Sequence, residues 1–331
     1  MDAPRLLQSD EETAIELTPP LEPPKRHSVA IAWMVVNTLA TVGIVFTNKA
    51  IFSDASWRKS QLAFACFHFC VTWITLSVLA SPGFACFAAP RRVPIRHLLP
   101  LALAMCLNVI LPNCSLAFSS VTFYQVARVL LTPVVAVVNF ILYGATLPLL
   151  AGLALVPACI GVGIVSYYDS LPAADVSIRT TSPLGVVFAM TGVLASSFYT
   201  VWIASYHRKL QMSSMQLLYS QAPIASLMLL YVIPFLDTLP DPTHVSCSRW
   251  LMIILSGIFA SLINISQFFI VAHTGPVSST VVGHVKTCTI VCIGWIVSGR
   301  SAGDRALIGV CLAIAAIVVY SIVMLEARKS D

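Results

Sequence analysis

Three cations stand in runs that have lost nearly every other charge: Lys49 in FTNKAIF, Arg128 in YQVARVLL and Lys286 in GHVKT. A guanidinium can chelate phosphate oxygens bidentately, and a lysine ammonium is a compact, movable point charge. Arg128 and Lys286 are therefore read as a clamp for an anionic cargo. Lys49, close to the end of its run, reads equally well as an interface anchor. Polar neighbours could recognise the rest of a ligand. Tyr124 and Gln125 lie within one turn of Arg128, and Asn48 adjoins Lys49. His284 precedes Lys286 by two positions, and Gly283 before it suggests a helix break. Tyr219 and Gln221 add a second polar set, with Asn108, Asn113, Tyr199, Asn264 and Gln267 beyond them. Singly, each such residue also serves as an interhelical hydrogen bond.

The elements that must position these residues follow from composition. The chain of 331 residues is 58% hydrophobic and only 10% charged, against roughly 25% charged in a soluble domain. Its mean hydropathy is +0.87, and apolar stretches long enough to cross a bilayer recur along it. Ten spans are expected, at roughly 29–51, 61–80, 98–118, 121–143, 148–168, 184–206, 215–236, 250–273, 277–299 and 304–325. The fold class is an all-α membrane protein. Residues 1–27 form an acidic, proline-containing tail, 28–326 the membrane domain and 327–331 a second tail. The longest polar connection, DSLPAADVSIRTTSP, divides the domain into halves of about 28–170 and 183–326.

The halves echo one another. SSVTFYQVARVLLTPVVAVVNFILYG in span four matches GPVSSTVVGHVKTCTIVCIGWIVSG in span nine in its entry and small-residue face. Arg128 and Lys286 follow the equivalent Val121 and Val277 at similar offsets, so both are expected at one depth. Two repeats of five spans must insert with opposite topology, the inverted-repeat plan of many transporters. Lys and Arg gather on the side of the tails (Arg91, Arg92, Arg96, Arg208 and Lys209 among them), which assigns both termini to the cytosol. Gly152, Gly161, Gly163, Gly303 and Gly309 in spans five and ten read as close helix packing or a homodimer face.

Several classes are excluded. All fourteen acidic residues are assigned to tails or connections, whereas proton- or sodium-coupled carriers usually hold a carboxylate in the membrane. Exchange of one anion for another is therefore expected. No nucleophile, base or carboxylate pair supports an enzyme. The net charge of +5 is spread over loops, so nucleic acid is not a partner. The ten cysteines fall mostly in apolar runs. CFHFC, around His68, lacks a further ligand pair, so neither a metal nor a cofactor is expected.

FTNKAIF, SSVTFYQVARVLLTPVV, SMQLLYSQAP, NISQ and GHVKT together resemble the nucleotide-sugar transporter and triose-phosphate translocator branch of the drug/metabolite transporter superfamily. The likeness is strongest to the UDP-xylose, UDP-galactose and solute carrier family 35 E-type members. It implies a multi-pass Golgi antiporter, with the endoplasmic reticulum as the alternative site. Such a protein moves a cytosolic nucleotide sugar inward against lumenal nucleoside monophosphate by alternating access. The resemblance implies that Gly283 and Lys286 contact the nucleotide and that Arg128 takes the place of a basic residue of span four. Leu218-Tyr219-Ser220-Gln221 stands where GDP-mannose transporters carry Phe-Tyr-Asn-Asn, which favours a UDP-sugar. Alternatives are a GDP-mannose transporter, a sugar-phosphate or phosphoenolpyruvate translocator, and a non-transporting membrane regulator.

Overall fold

A computed structural model describes residues 27–88, 93–144, 146–171, 181–241, 243, 245–297, 299 and 304–330. The N-terminal tail and most of the mid-chain connection lie outside that set. Among the described residues every regular element is helical: α1 (His27–Phe52), α2 (Gln61–Ala80), α3 (Ile95–Phe118), α4 (Val121–Ala127), α5 (Leu131–Tyr143), α6 (Leu149–Ser170), α7 (Pro183–Leu210), α8 (Ser214–Leu236), α9 (Cys247–Val297) and α10 (Ala306–Ser330). Nine of the described segments are long and apolar enough to span a bilayer, and Lys286–Val297 is a shorter apolar helix. This is a multi-pass membrane protein.

Two elements differ from the expected spans. Span four is broken into α4 and α5 by a 3-10 turn at Arg128–Leu130. Pro133 explains the break: it offers no N–H to the Val129 carbonyl, and its ring crowds that carbonyl, so the turn before it tightens. Spans eight and nine, expected as separate segments, form the single helical element α9 of 51 residues. Straight, it would run roughly 75 Å, more than twice the bilayer core. Its contacts show that it is not straight. Asn37 meets both Ile263, through its carbonyl at 3.1 Å, and the Lys286 Nζ at 2.7 Å. A straight helix would hold those two residues roughly 35 Å apart. The chain therefore reverses direction between Ser266 and Lys286.

The two arms of α9 flank α1. The first arm runs antiparallel to it, with Asn37 against Ser266, Gly43 against Phe259, Asn48 against Ser256 and the Ala50 carbonyl against Arg249. The second arm runs the other way, from Lys286 at Asn37 to Ile290 in one apolar cluster with Val45. Elsewhere α2 packs on α8, α3 on α7 and α8, α5 on α7, and α6 on α10. The last pair crosses at glycines. A Cβ on Gly161 would lie 2.6 Å from the Gly309 carbonyl oxygen and 2.7 Å from the Ala313 nitrogen, so backbone meets backbone there. Gly161 and Gly309 thus serve packing inside the chain, while a Cβ on Gly152 or Gly163 would meet open space.

One end of the bundle is tied together. The connections after α1, α3, α6 and α8 share it. There Arg249 pairs with Asp54 at 3.1 Å, Thr238 N–H donates to the Lys59 carbonyl, and Ala63 N–H donates to Asp237. Asp169 belongs to the same set and corrects an expectation. The sequence reading placed it in a connection, but it lies in the last turn of α6, fully buried. It accepts from Ser120 Oγ at 2.8 Å and from Thr181 Oγ1. Both hydroxyls converge on Oδ2, so the carboxylate leaves water with that oxygen hydrogen-bonded.

Candidate functional site

The two cations meet because spans four and nine cross in opposite directions. A Cβ on Gly294 would lie 3.2 Å from Val121, and Ile290 shares an apolar cluster with Val121 and Tyr124. One further turn along each helix brings Arg128 and Lys286 level. Like charges so placed in low dielectric repel unless an anion stands with them. Arg128 sits on the 3-10 turn, its guanidinium 5.8 Å from the Tyr124 ring centroid, within cation–π range. A crevice of ≈ 10 Å³, room for about one water, touches Arg128, Tyr124, Ser115 and Ser196. Lys286 is half-buried, and its Nζ donates to Asn37 Oδ1 at 2.7 Å.

Beside this pair lies a cavity of ≈ 250 Å³ between α1, α2, α3, α4, α7, α8 and the first arm of α9. Its polar lining is neutral: Asn48, His68, Thr72, Asn108, Asn113, Tyr124, Tyr199 and Asn264. Much of it is pre-ordered. His68 Nε2 and Ser256 Oγ are 2.8 Å apart, Ser256 Oγ donates to Asn48 Oδ1, and Asn264 Nδ2 donates to Thr72 Oγ1 at 3.3 Å. Gln221 Nε2 donates to Tyr199 Oη at 2.7 Å. Tyr124 lines both the cavity and the Arg128 crevice, so a ligand could lie across it with charge at one end and hydrogen-bonding groups at the other.

The sequence-derived candidates divide. Asn48 and Tyr124 line the cavity, and Gln221 supports it through Tyr199. Gln125 is buried on another face of α4. Tyr219 points elsewhere, toward Phe87 of the α2–α3 connection, with ring centroids 6.2 Å apart. Lys49 Nζ donates to the Leu116 carbonyl at 2.8 Å and to that of Ser119. It caps the end of α3, where a cation also suits the helix dipole. The side chain of His284 and the surroundings of Gly283 lie outside the described residues. Two residues were missed. His68 was weighed only as a metal ligand, and among the described residues no group of three or more metal-binding side chains occurs. Asn37 was passed over, although it stands eleven residues before Asn48, three helical turns along the same face.

Transporters are similar to this chain in sequence. Residues 183–322 match the EamA-like transporter family. The second half of the chain is thus similar to EamA-like transporters. That match covers less than half of the chain. UDP-rhamnose/UDP-galactose transporter 2 of Arabidopsis thaliana is 29% identical over 307 residues, 91% of this chain and 84% of that protein. UDP-xylose transporter 2 of the same plant is 26% identical over 296 residues, 88% and 80% of the two chains. A solved crystal structure, 15% identical, superposes with a TM-score of 0.60 over 92% of this chain and 99% of its own, which supports the fold alone.

Proposed function

We propose that the chain is a Golgi nucleotide-sugar transporter exchanging a cytosolic UDP-sugar for lumenal nucleoside monophosphate by alternating access. The observation that carries this reading is the crossing of spans four and nine, with Gly294 on Val121 and Ile290 beside Tyr124, which brings Arg128 and Lys286 to one level beside a cavity with no carboxylate among its described lining residues. Two cations of one sign suit a diphosphate. The neutral amides and hydroxyls alongside suit the sugar and base. The similarity to plant proteins named as UDP-sugar transporters supports the same cargo class.

The packing supports two inverted repeats. Replacing each span by the one five further on turns the α1 contacts with the two arms of α9 into those of α7 with α3 and with α5. It likewise turns the α2 contact with the first arm into the α8 contact with α3. The pairs α2–α8, α4–second arm and α6–α10 map onto themselves. Such symmetry suits repeats that rock about a central site. Both termini are proposed to face the cytosol, with the tied end toward the lumen. A homodimer would use the outward small-residue stripe of α6 at Gly152 and Gly163.

A sugar-phosphate cargo is the second reading, favoured by the cavity volume of ≈ 250 Å³, which lies below the roughly 300–1,000 Å³ usual for ligand pockets. One experiment separates these readings. Liposomes containing the purified chain are preloaded with UMP, GMP, CMP or triose phosphate and challenged with labelled UDP-sugars, GDP-mannose and phosphoenolpyruvate. UMP-stimulated uptake of a UDP-sugar is expected, and Lys286→Ala should abolish it without loss of folded protein. Uptake that needs no internal anion refutes exchange, stimulation by GMP alone refutes the UDP-sugar, and exchange by Lys286→Ala at wild-type affinity refutes the site.

A further inference from the structure

We propose that Asn37 is a positioning residue for Lys286, the acceptor from which an incoming phosphate takes the ammonium. The inference rests on the exchange reading for its cargo but not for its geometry. Asn37 is fully buried in α1, and both ends of its amide are committed. Oδ1 accepts from Lys286 Nζ at 2.7 Å. Nδ2 donates to the Ile263 carbonyl at 3.1 Å and to Ser266 Oγ at 2.7 Å. The partners fix which end is which. A flipped amide would aim an NH₂ at an ammonium and a carbonyl at a carbonyl, losing the bonds to Lys286 and Ile263.

One buried side chain thus joins three strands of the mechanism: α1, the end of the first arm of α9, and the cation of its second arm. The neutrality of the amide matters as much as its place. An amide oxygen orients the ammonium without cancelling its charge, so the cation stays available to a phosphate. A carboxylate here would pair with Lys286 and compete with the cargo. The charged group facing Lys286 from the neighbouring element is Arg128, which repels it. Asn37 therefore holds the ammonium against that repulsion, at the side of the cavity where Asn48 and Asn264 already stand. When a phosphate bridges Arg128 and Lys286, the repulsion becomes a shared attraction, and the bond to Asn37 is released or shared. Because Nδ2 is anchored on the first arm, that release also loosens Lys286 from the backbone at Ile263.

The test uses the full chain in detergent and in liposomes, with Asn37→Leu and the near-isosteric Asn37→Asp. The first readout is acylation of Lys286 by acetic anhydride, followed by peptide mass spectrometry, which needs no transport. An amine freed from its acceptor reacts faster and one paired with a carboxylate reacts more slowly. Leu should therefore speed the labelling and Asp should slow it. The second readout is the UMP concentration that half-saturates exchange and half-protects Lys286 from acylation. Both variants should raise it by about fivefold or more, Leu because the ammonium is no longer held in place for the phosphate and Asp because its carboxylate competes with the phosphate. Opposite shifts in labelling with a common loss of UMP affinity are not what a merely structural asparagine would give. If either variant labels Lys286 at the wild-type rate, the proposal is overturned. If Leu does not fold, Asp alone decides, through slower labelling or its absence. If UMP protects nothing in the wild type while the two variants still shift the labelling oppositely, the nucleotide reading fails and the positioning role stands.

Discussion

Replacing Lys49 by methionine separates two roles that its sequence position leaves open. Methionine keeps much of the length and apolar stem while removing the ammonium. In the structure that ammonium holds two carbonyls at the end of α3, Leu116 at 2.8 Å and Ser119. The Phe118 carbonyl between them is taken by Ser182, through its backbone N–H at 3.0 Å and its hydroxyl at 2.9 Å. Removing the cation leaves two acceptors without this donor at a helix terminus. Each such loss costs about 1–3 kcal/mol, and the helix dipole adds about 0.3–1 kcal/mol. Lys49 is only half-buried, so water repairs part of the damage and about 2–4 kcal/mol is expected. At about 2 °C per kcal/mol, Tm should fall by about 4–8 °C. The assay is thermal unfolding in detergent, followed by size-exclusion fluorescence, alongside UMP binding to the surviving fold. Binding affinity should be unchanged. An unaltered Tm with lost UMP affinity would refute the capping role and return Lys49 to the substrate site.

Two further outcomes test the packing and the tied end. Gly161→Ala should cost about 1–3 kcal/mol through overpacking, because the new Cβ would press on the backbone of Gly309 and Ala313. Gly163→Ala, facing open space, should unfold no lower than wild type in the same assay, because alanine favours the helix by about 0.5–1 kcal/mol. Hydrogen bonds from the Ser56 hydroxyl and N–H, with Arg249 adding its charge, hold the Asp54 carboxyl below the usual carboxylate range. A carboxylate with a lowered pKa stabilises the fold above its unfolded pKa, about 3.9. That stabilisation disappears as pH falls through the folded value. Unfolding of wild type and Asp54→Asn should therefore run in parallel from pH 5 to 7 and converge only in stronger acid, with a gap under about 1 kcal/mol at this exposed pair. A gap that closes near neutrality would contradict the assignment.

Most of the fold was legible because hydropathy reports burial in lipid directly. The ends of α2, α3 and α8 fall within a few residues of the expected spans. The shared level of Arg128 and Lys286 was legible for a different reason. Arg128 and Lys286 follow Val121 and Val277 at similar offsets, and antiparallel crossing of their helices turns similar depth into a shared level. What hydropathy could not carry was local. Asp169 was assigned to a connection because an acid at the edge of an apolar run reads as its boundary, while Ser120 and Thr181, which bury it, are distant in sequence. Pro133 did signal the break at Arg128, but a proline near a span centre is common enough in membranes to pass as a bend. Helical periodicity would have separated Tyr219 from Gln221. Residues two apart lie roughly 200° apart around a helix, whereas Leu218 and Gln221 share a face, and Leu218 is the one that lines the cavity. Asn37 carried no motif at all; its role comes from three partners that the sequence keeps over 220 residues away.

The charge arrangement also bears on why exchange, rather than one-way transport, fits this site. Suppose the repeats rocked without an anion. Arg128 and Lys286 would then change surroundings as a like-charged pair in a medium where each buried charge costs several kcal/mol. Asn37 could orient one of them but, being neutral, could cancel neither. The nearest buried carboxylate described, Asp169, is held by Ser120 and Thr181 at the tied end and does not line the cavity. A phosphate bound between the cations removes most of that penalty in either direction of travel. The return step therefore needs an anion as much as the forward step does, and a nucleoside monophosphate carries the group that the clamp requires. On this argument an anion-free return should be slower than a loaded one by orders of magnitude, since each 1.4 kcal/mol of unrelieved penalty is about tenfold in rate. Replacing Arg128 by a neutral residue should narrow that gap while weakening cargo affinity. A variant that kept the full dependence on internal UMP with only one cation left would show that the coupling lies elsewhere.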